Sequence, residues 1–313
     1  MKLTIQARGL TKTFGRVAAL TGVDLDVPEG AIYALVGANG AGKTTFIKLF
    51  MNILRATAGQ ASVLGIDSKR LAGQDFNRIG YVSENQELPD WMSAGAWLDF
   101  MRPFYPHWDR ELERQLIAQF DLPLNRRLKH LSRGMRMKAA FASSLAYRPA
   151  LIVLDEPFSG LDPLVRDELI EGLLDRAPET TIFLSSHDLA EIESFASHVG
   201  YLADGHVLFS EEMTALSARF REVTVTMNGP ATLPANPPAD WLQLEVNGAV
   251  VRFVHSGFDD EASQRALREV FPAARDFTLD PMPLRSIFLA IARSGRRNAH
   301  AAATTAHSGR NIA

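Results

Sequence analysis

The sequence predicts an α/β fold whose core is a mostly parallel sheet, and three observations carry that prediction. Apolar runs at Ala31 to Val36, Ala150 to Leu154 and Thr180 to Ser185 have the length and composition of strands buried on both faces. Stretches with helical spacing separate them, Lys43 to Leu54 after the first and Pro163 to about Arg176 between the second and third. These supply the crossovers that parallel pairing requires. A glycine-rich segment stands at the junction of the first strand and its helix.

Around that core the elements follow in order. Leu3 and Ile5, then Val23, Leu25 and Val27, alternate at period two on either side of Gly15, which predicts an antiparallel β subdomain. From Ser83 to His130 strand signals fade. Helices are expected from about Ala94 to Phe104 and from Arg110 to Phe120, the second capped by Asp109 with Leu112, Leu116 and Phe120 on one face, giving a helical subdomain over about 84–145. Asp204-Gly205, between Gly200 to Ala203 and His206 to Phe209, suits a type I′ hairpin turn and closes a main domain of residues 1–215.

Beyond it, Pro230, Pro234, Pro237 and Pro238 make residues 228–240 a loop. Strands are expected at Trp241 to Val246 and Val250 to His255, and helices at Glu261 to Phe271 and Leu284 to Arg293, forming a small C-terminal α+β appendage over 216–293. Residues 294–313 set Arg296, Arg297 and Arg310 among small and polar residues with no acid, and are expected to be a disordered tail.

Composition excludes several functions. A net charge of −3 over 313 residues offers no basic face, so nucleic acid is not an expected partner. With no cysteine there is no disulfide, thiolate ligand or cysteine nucleophile, and a reducing compartment fits. Apolar runs such as Ile287 to Ala292 are far shorter than the roughly 18 to 20 residues that cross a bilayer, and the N-terminus has no apolar signal core, so a cytoplasmic chain is expected.

Chemistry concentrates in two motifs. Gly37-Ala38-Asn39-Gly40-Ala41-Gly42-Lys43-Thr44 fits G-x-x-x-x-G-K-[ST], in which small residues let backbone N–H groups wrap the phosphates of ATP. Lys43 reaches the β- and γ-phosphates, Thr44 offers its hydroxyl to Mg²⁺, and Thr45 follows in the first turn of a helix whose positive end faces the anion. Leu151 to Leu154 then end in Asp155-Glu156 at the sheet edge where α/β proteins bind ligands. Asp155 suits magnesium, directly or through water, and Glu156 is the candidate to polarise the attacking water.

With Leu131-Ser132-Arg133-Gly134-Met135, these motifs resemble the nucleotide-binding subunits of ABC transporters over about residues 1–215. The resemblance implies a P-loop NTPase of the ABC-ATPase fold. Ser132 and Gly134 match the core of the family's LSGGQ signature loop, which faces the nucleotide of a second subunit, whereas Arg133 and Met135 depart from it; Ser132 also suits a helix cap. Phe14 stands where an aromatic ring stacks on adenine, although a strand aromatic is equally at home in a core. Asp162, in Ser159-Gly160-Leu161-Asp162, matches the loop linking two ATP sites and suits an N-cap before Pro163. His187 matches the switch histidine that contacts the γ-phosphate. In Ile79 to Gln86 the family carries a glutamine where this chain has Glu84, with Gln86 two residues on; either side chain is a candidate for magnesium or water.

The implied partners are a second ABC ATPase subunit, as homodimer or heterodimer, and a separate transmembrane permease, with the chain peripheral on the inner face of the membrane. Trp91, Met92, Trp97, Phe100, Phe104 and Trp108 serve either the helical core or a docking groove for that permease. The segment from Ile79 to Asp109 and the ending Pro283 to Leu289 look like the export branch. Two other classes are weaker. A soluble ABC-type ATPase of ribosomes or DNA usually has two cassettes or long coiled coils, and a poorly hydrolysing regulatory module conflicts with the presence of Glu156.

Overall fold

A computed structural model describes residues 2–291, 293 and 294, and the chain divides into two units, up to Ser210 and from Glu211 onward. In the first unit β1 (Leu3–Phe14) and β2 (Val17–Pro28) form a hairpin that turns at Gly15, with Phe14 opposite Val17. β3 (Ile32–Val36) follows with all five residues buried. α1 (Lys43–Phe50) ends four residues before the expected Leu54, because Asn52 takes a left-handed φ of 56° and its amide bonds Leu71 O. β4 (Ala58–Val63) and β5 (Ile66–Asp67) complete a four-stranded antiparallel sheet in the order β2-β1-β4-β5.

β6 (Ile79–Ser83) leads into the helical segment of α2 (Ala94–Met101), α3 (Arg110–Gln119) and α4 (Arg133–Leu145). The helix expected to reach Phe104 changes to a 3-10 turn over Arg102–Phe104, where Pro103 has no N–H to give. Asp109 caps α3 as expected, accepting from Glu111 N and Leu112 N.

β7 (Leu151–Asp155), α5 (Pro163–Leu174), β8 (Thr181–Ser186), β9 (His198–Ala203) and β10 (His206–Glu212) complete the central sheet, ordered β10-β9-β3-β8-β7-β6. Strands β9, β3, β8, β7 and β6 run parallel. The register sets Val36 beside Ser186, Ser185 beside Asp155, and Asp155 beside Ser83. Four strands therefore end along one edge, which is where the next residues of each must emerge. Tyr33 stacks on Phe183 at 5.6 Å between ring centroids, and Phe46 and Phe50 of α1 close on the same ring at 6.0 and 5.3 Å, fixing the helix that carries Lys43.

The second unit holds α6 (Met213–Arg219), β11 (Arg221–Met227), β12 (Trp241–Asn247), β13 (Val250–His255), α7 (Asp260–Val270) and β14 (Ala274–Pro281). Its sheet, ordered β12-β13-β11-β14, contains two strands the sequence reading did not expect, β11 and β14. Both carry the period-two signal: Val223 and Val225 face the core, and opposite them stand Leu279 and Phe277. Residues 284–291 are helical; the expected tail lies outside the described residues beyond Ser294. Among the described residues no helix is long and apolar enough to cross a membrane.

Candidate ATPase site

The site is built at the shared strand edge. β3 delivers the Gly37–Thr44 loop, in which Gly42 has a φ of 110° and a Cβ there would lie 2.6 Å from Ala19 O, so only glycine closes the turn into α1. Ala38, Asn39 and Gly40 are exposed and Ala41 is buried, so the loop presents its middle to solvent while anchored at its end. Lys43 is buried at 5% exposure, and its ammonium donates to Gly37 O at 2.6 Å and Ala38 O at 3.2 Å. The same nitrogen lies 3.0 Å from Glu156 Oε1. Thr45 is half-buried on the first turn of α1.

β7 delivers the two carboxylates. Thr44 donates its hydroxyl to Asp155 Oδ1 at 3.0 Å, and Ser185 donates to the same oxygen at 2.8 Å. Ser185 also accepts from Glu156 N–H at 3.0 Å, so one hydroxyl ties both acids to β8. Glu156 has a φ of 53°, a left-handed backbone costly for a side-chain residue, and this turns its carboxylate toward Lys43 and His187. Ser185 was visible in the sequence only as the residue before Ser186-His187; its role depends on strand register.

His187 Nδ1 lies 2.8 Å from Glu156 Oε2. That hydrogen bond raises the imidazole pKa above its ordinary value, with the charges of Glu156 and Glu191 in support, while partial burial and the Lys43 charge oppose it. Glu191 itself is pushed up, mainly by burial.

The remaining sequence candidates are distributed around this centre. Phe14 is exposed at 47%, with the Lys12 ammonium 4.9 Å over its ring, so it is not a core aromatic. Ser132 caps α4 by accepting from Met135 N–H, and Asp162 caps α5 by accepting from Val165 N–H. Gly134 lets α4 approach α5, since a Cβ there would lie 2.9 Å from Val165 Cγ1. Glu84 Oε1 accepts from Arg133 at 2.8 Å and from the Ser159 hydroxyl at 2.9 Å. Partial burial favours its neutral form, but the bonds from Arg133 and Ser159 and the charges of Arg133 and His187 outweigh this and hold the pKa below the usual value. Gln86 folds back, its Oε1 accepting from Ser83 N–H at 3.3 Å.

The donor chemistry fits a magnesium nucleotide. A threonine hydroxyl and a carboxylate sharing a 3.0 Å contact are hard oxygen ligands, and the buried Glu156 Oε1 is paired with the Lys43 ammonium at 3.0 Å. Among the described residues no cluster of three or more His, Cys, Asp or Glu could hold a metal ion.

A family model for ABC transporters matches residues 20–159. The lantibiotic transport ATP-binding protein SrtF of Streptococcus pyogenes is 30% identical over 213 residues, 66% of this chain and 90% of that protein. The chain belongs to the ABC transporter ATP-binding proteins. Similarity to the ABC transporter ATP-binding protein YtrB of Bacillus subtilis extends further, 27% identity over 91% of this chain and 97% of the other. The chain spans 62% of the length of a Synechocystis ABC transporter ATP-binding protein to which it is 31% identical. A solved ATP-binding subunit of an ABC transporter superposes with a TM-score of 0.63 at 27% identity, over 69% of this chain and 92% of that one. The Gly37–Thr44 loop and the Asp155–Glu156 strand end lie within the segment matched by the ABC transporter family model.

Proposed function

We propose that this ABC ATPase powers an exporter, working as one of two ATPase subunits attached to a separate membrane permease on the cytoplasmic face. The observation that carries the proposal is the joined set Lys43, Glu156 and His187 beside the Thr44–Asp155 pair. It provides a cation for the phosphates, a base for water, a positioned imidazole and oxygen ligands in one place. Transport is supported by the relative named for lantibiotic transport, and export by the resemblance of Ile79 to Asp109 and of Pro283 to Leu289 to the export branch.

In this reading the loop N–H groups and Lys43 hold the β- and γ-phosphates of ATP, and Thr44 and Asp155 hold Mg²⁺, which when bound neutralises charge on the phosphates. Glu84 Oε1 is engaged by Arg133 and Ser159, which leaves Gln86 as the remaining candidate near magnesium or water. Glu156 orients the attacking water and takes its proton, while His187 fixes the carboxylate through Nδ1 and turns its other face to the γ-phosphate. Phe14 stacks on adenine. The Ser132–Gly134 loop and Asp162 face the second subunit.

The permease surface is the aromatic face of the helical segment. Trp97 stacks on Phe100 at 6.0 Å and Phe100 meets Phe104 at 5.3 Å, while Trp91, Phe100 and Phe104 are 74%, 47% and 59% exposed. The test is purification of the tagged full chain from detergent-solubilised membranes. Recovery of a multi-spanning protein at equal stoichiometry, lost when Trp91, Phe100 and Phe104 are changed to serine, is the expected result. Recovery with ribosomes alone overturns the proposal.

A further inference from the structure

Two positions depart from the family pattern in a way that makes them partners. Glu84 occupies the place of a glutamine and Arg133 the place of a glycine, and their side chains meet at 2.8 Å. Neither change explains itself alone, since an acid near phosphates repels them and an arginine in a glycine loop needs space and a counter-charge. The space comes from Gly160, whose φ of 66° and lack of a Cβ leave room for the guanidinium; a Cβ there would be 3.1 Å from Arg133 Nη1. Ser159, next to it, donates its hydroxyl to the same Glu84 oxygen.

We propose that Glu84 and Arg133 form a latch that sets the position of the Leu131–Met135 loop relative to the catalytic strand edge. Three segments converge on it. Glu84 follows β6, with its own N–H bonded to Asp155 O at 2.9 Å, so it is tied by backbone to the magnesium carboxylate. Ser159 and Gly160 follow Glu156 in sequence. Arg133 opens α4, directly after the Ser132 cap. Movement of the Asp155–Glu156 edge therefore reaches the loop through this ion pair, beside the packing of α4 on β6 and α5. Glu84 is a positioning residue in this account, and the magnesium carboxylate is Asp155 alone.

The inference rests on the ATPase reading of the site. Steady-state ATP hydrolysis by the full chain, titrated with ATP and with Mg²⁺, tests it in Glu84→Gln, Arg133→Gln, the double variant and Arg133→Lys. Each single glutamine variant is expected to lower kcat about two- to fivefold, the size of a half-exposed ion pair. The ATP KM and the Mg²⁺ requirement stay unchanged, because Gly37 to Thr44 and Asp155 are untouched. The double variant is expected to be no slower than either single one, and Arg133→Lys to recover most of the rate. Multiplying losses in the double variant, or Arg133→Lys as slow as Arg133→Gln, overturns the latch. So does a raised Mg²⁺ requirement in Glu84→Gln alone, which returns Glu84 to the metal. A wild-type chain without ATPase activity refutes the underlying reading instead.

Discussion

The Lys43 ammonium lies 3.0 Å from Glu156 Oε1, with both side chains at least 87% buried, so the cation proposed for the phosphates and the base proposed for water are held as one ion pair. In the proposed function a bound triphosphate would compete with Glu156 for the Lys43 ammonium. Replacing Lys43 with alanine removes the cation and leaves Glu156 with His187 as its remaining partner. ATPase kcat/KM is expected to fall about 10²- to 10³-fold, with weaker binding of a fluorescent ATP analogue.

Glu156→Gln keeps the shape of the side chain and loses its basicity. Turnover is expected to fall by about 10²- to 10⁴-fold while ATP still binds, and gel filtration with ATP should show a trapped dimer. Unchanged turnover removes Glu156 from the mechanism.

His187 carries the pH dependence. Its pKa is raised, chiefly by the hydrogen bond to Glu156, so the charged imidazole persists to higher pH than in a free histidine. The stabilisation this provides is complete below the unfolded value of about 6.5 and is lost as pH rises through the folded value. In an NMR titration of the full chain the His187 resonance is expected to titrate above about 6.5 and to move down in Glu156→Gln; a midpoint unaffected by that substitution excludes the pairing.

Ser185→Ala leaves Asp155 Oδ1 without one of its two donors and Glu156 N–H without its acceptor. Denaturant unfolding should show a loss of about 1–3 kcal/mol, and half-maximal activity should need more Mg²⁺.

In the second unit, Trp241 stacks on Phe253 at 4.3 Å and on Phe271 at 5.8 Å. Trp241→Ala is expected to cost about 3–5 kcal/mol, read as earlier loss of near-ultraviolet circular dichroism, with little change in ATPase rate.

The sequence by itself determined the elements whose signals are local. The Gly37–Thr44 loop, the apolar strand ending in Asp155-Glu156, and the caps at Ser132 and Asp162 each lie within a few residues of their own cause, a turn, a buried run or an unpaired helix N–H. The alternation of Arg221–Met227 is also local, but its two core-facing valines make a signal too short to predict a strand. Tertiary structure decided which distant residues meet. Ser185 reaches Asp155 across 30 positions and Arg133 reaches Glu84 across 49, because parallel register and the packing of α4 against β6 bring them together. Phe14 faces solvent because the hairpin ends there. Such pairings depend on strand order, crossovers and helix packing, which no single stretch of chain encodes.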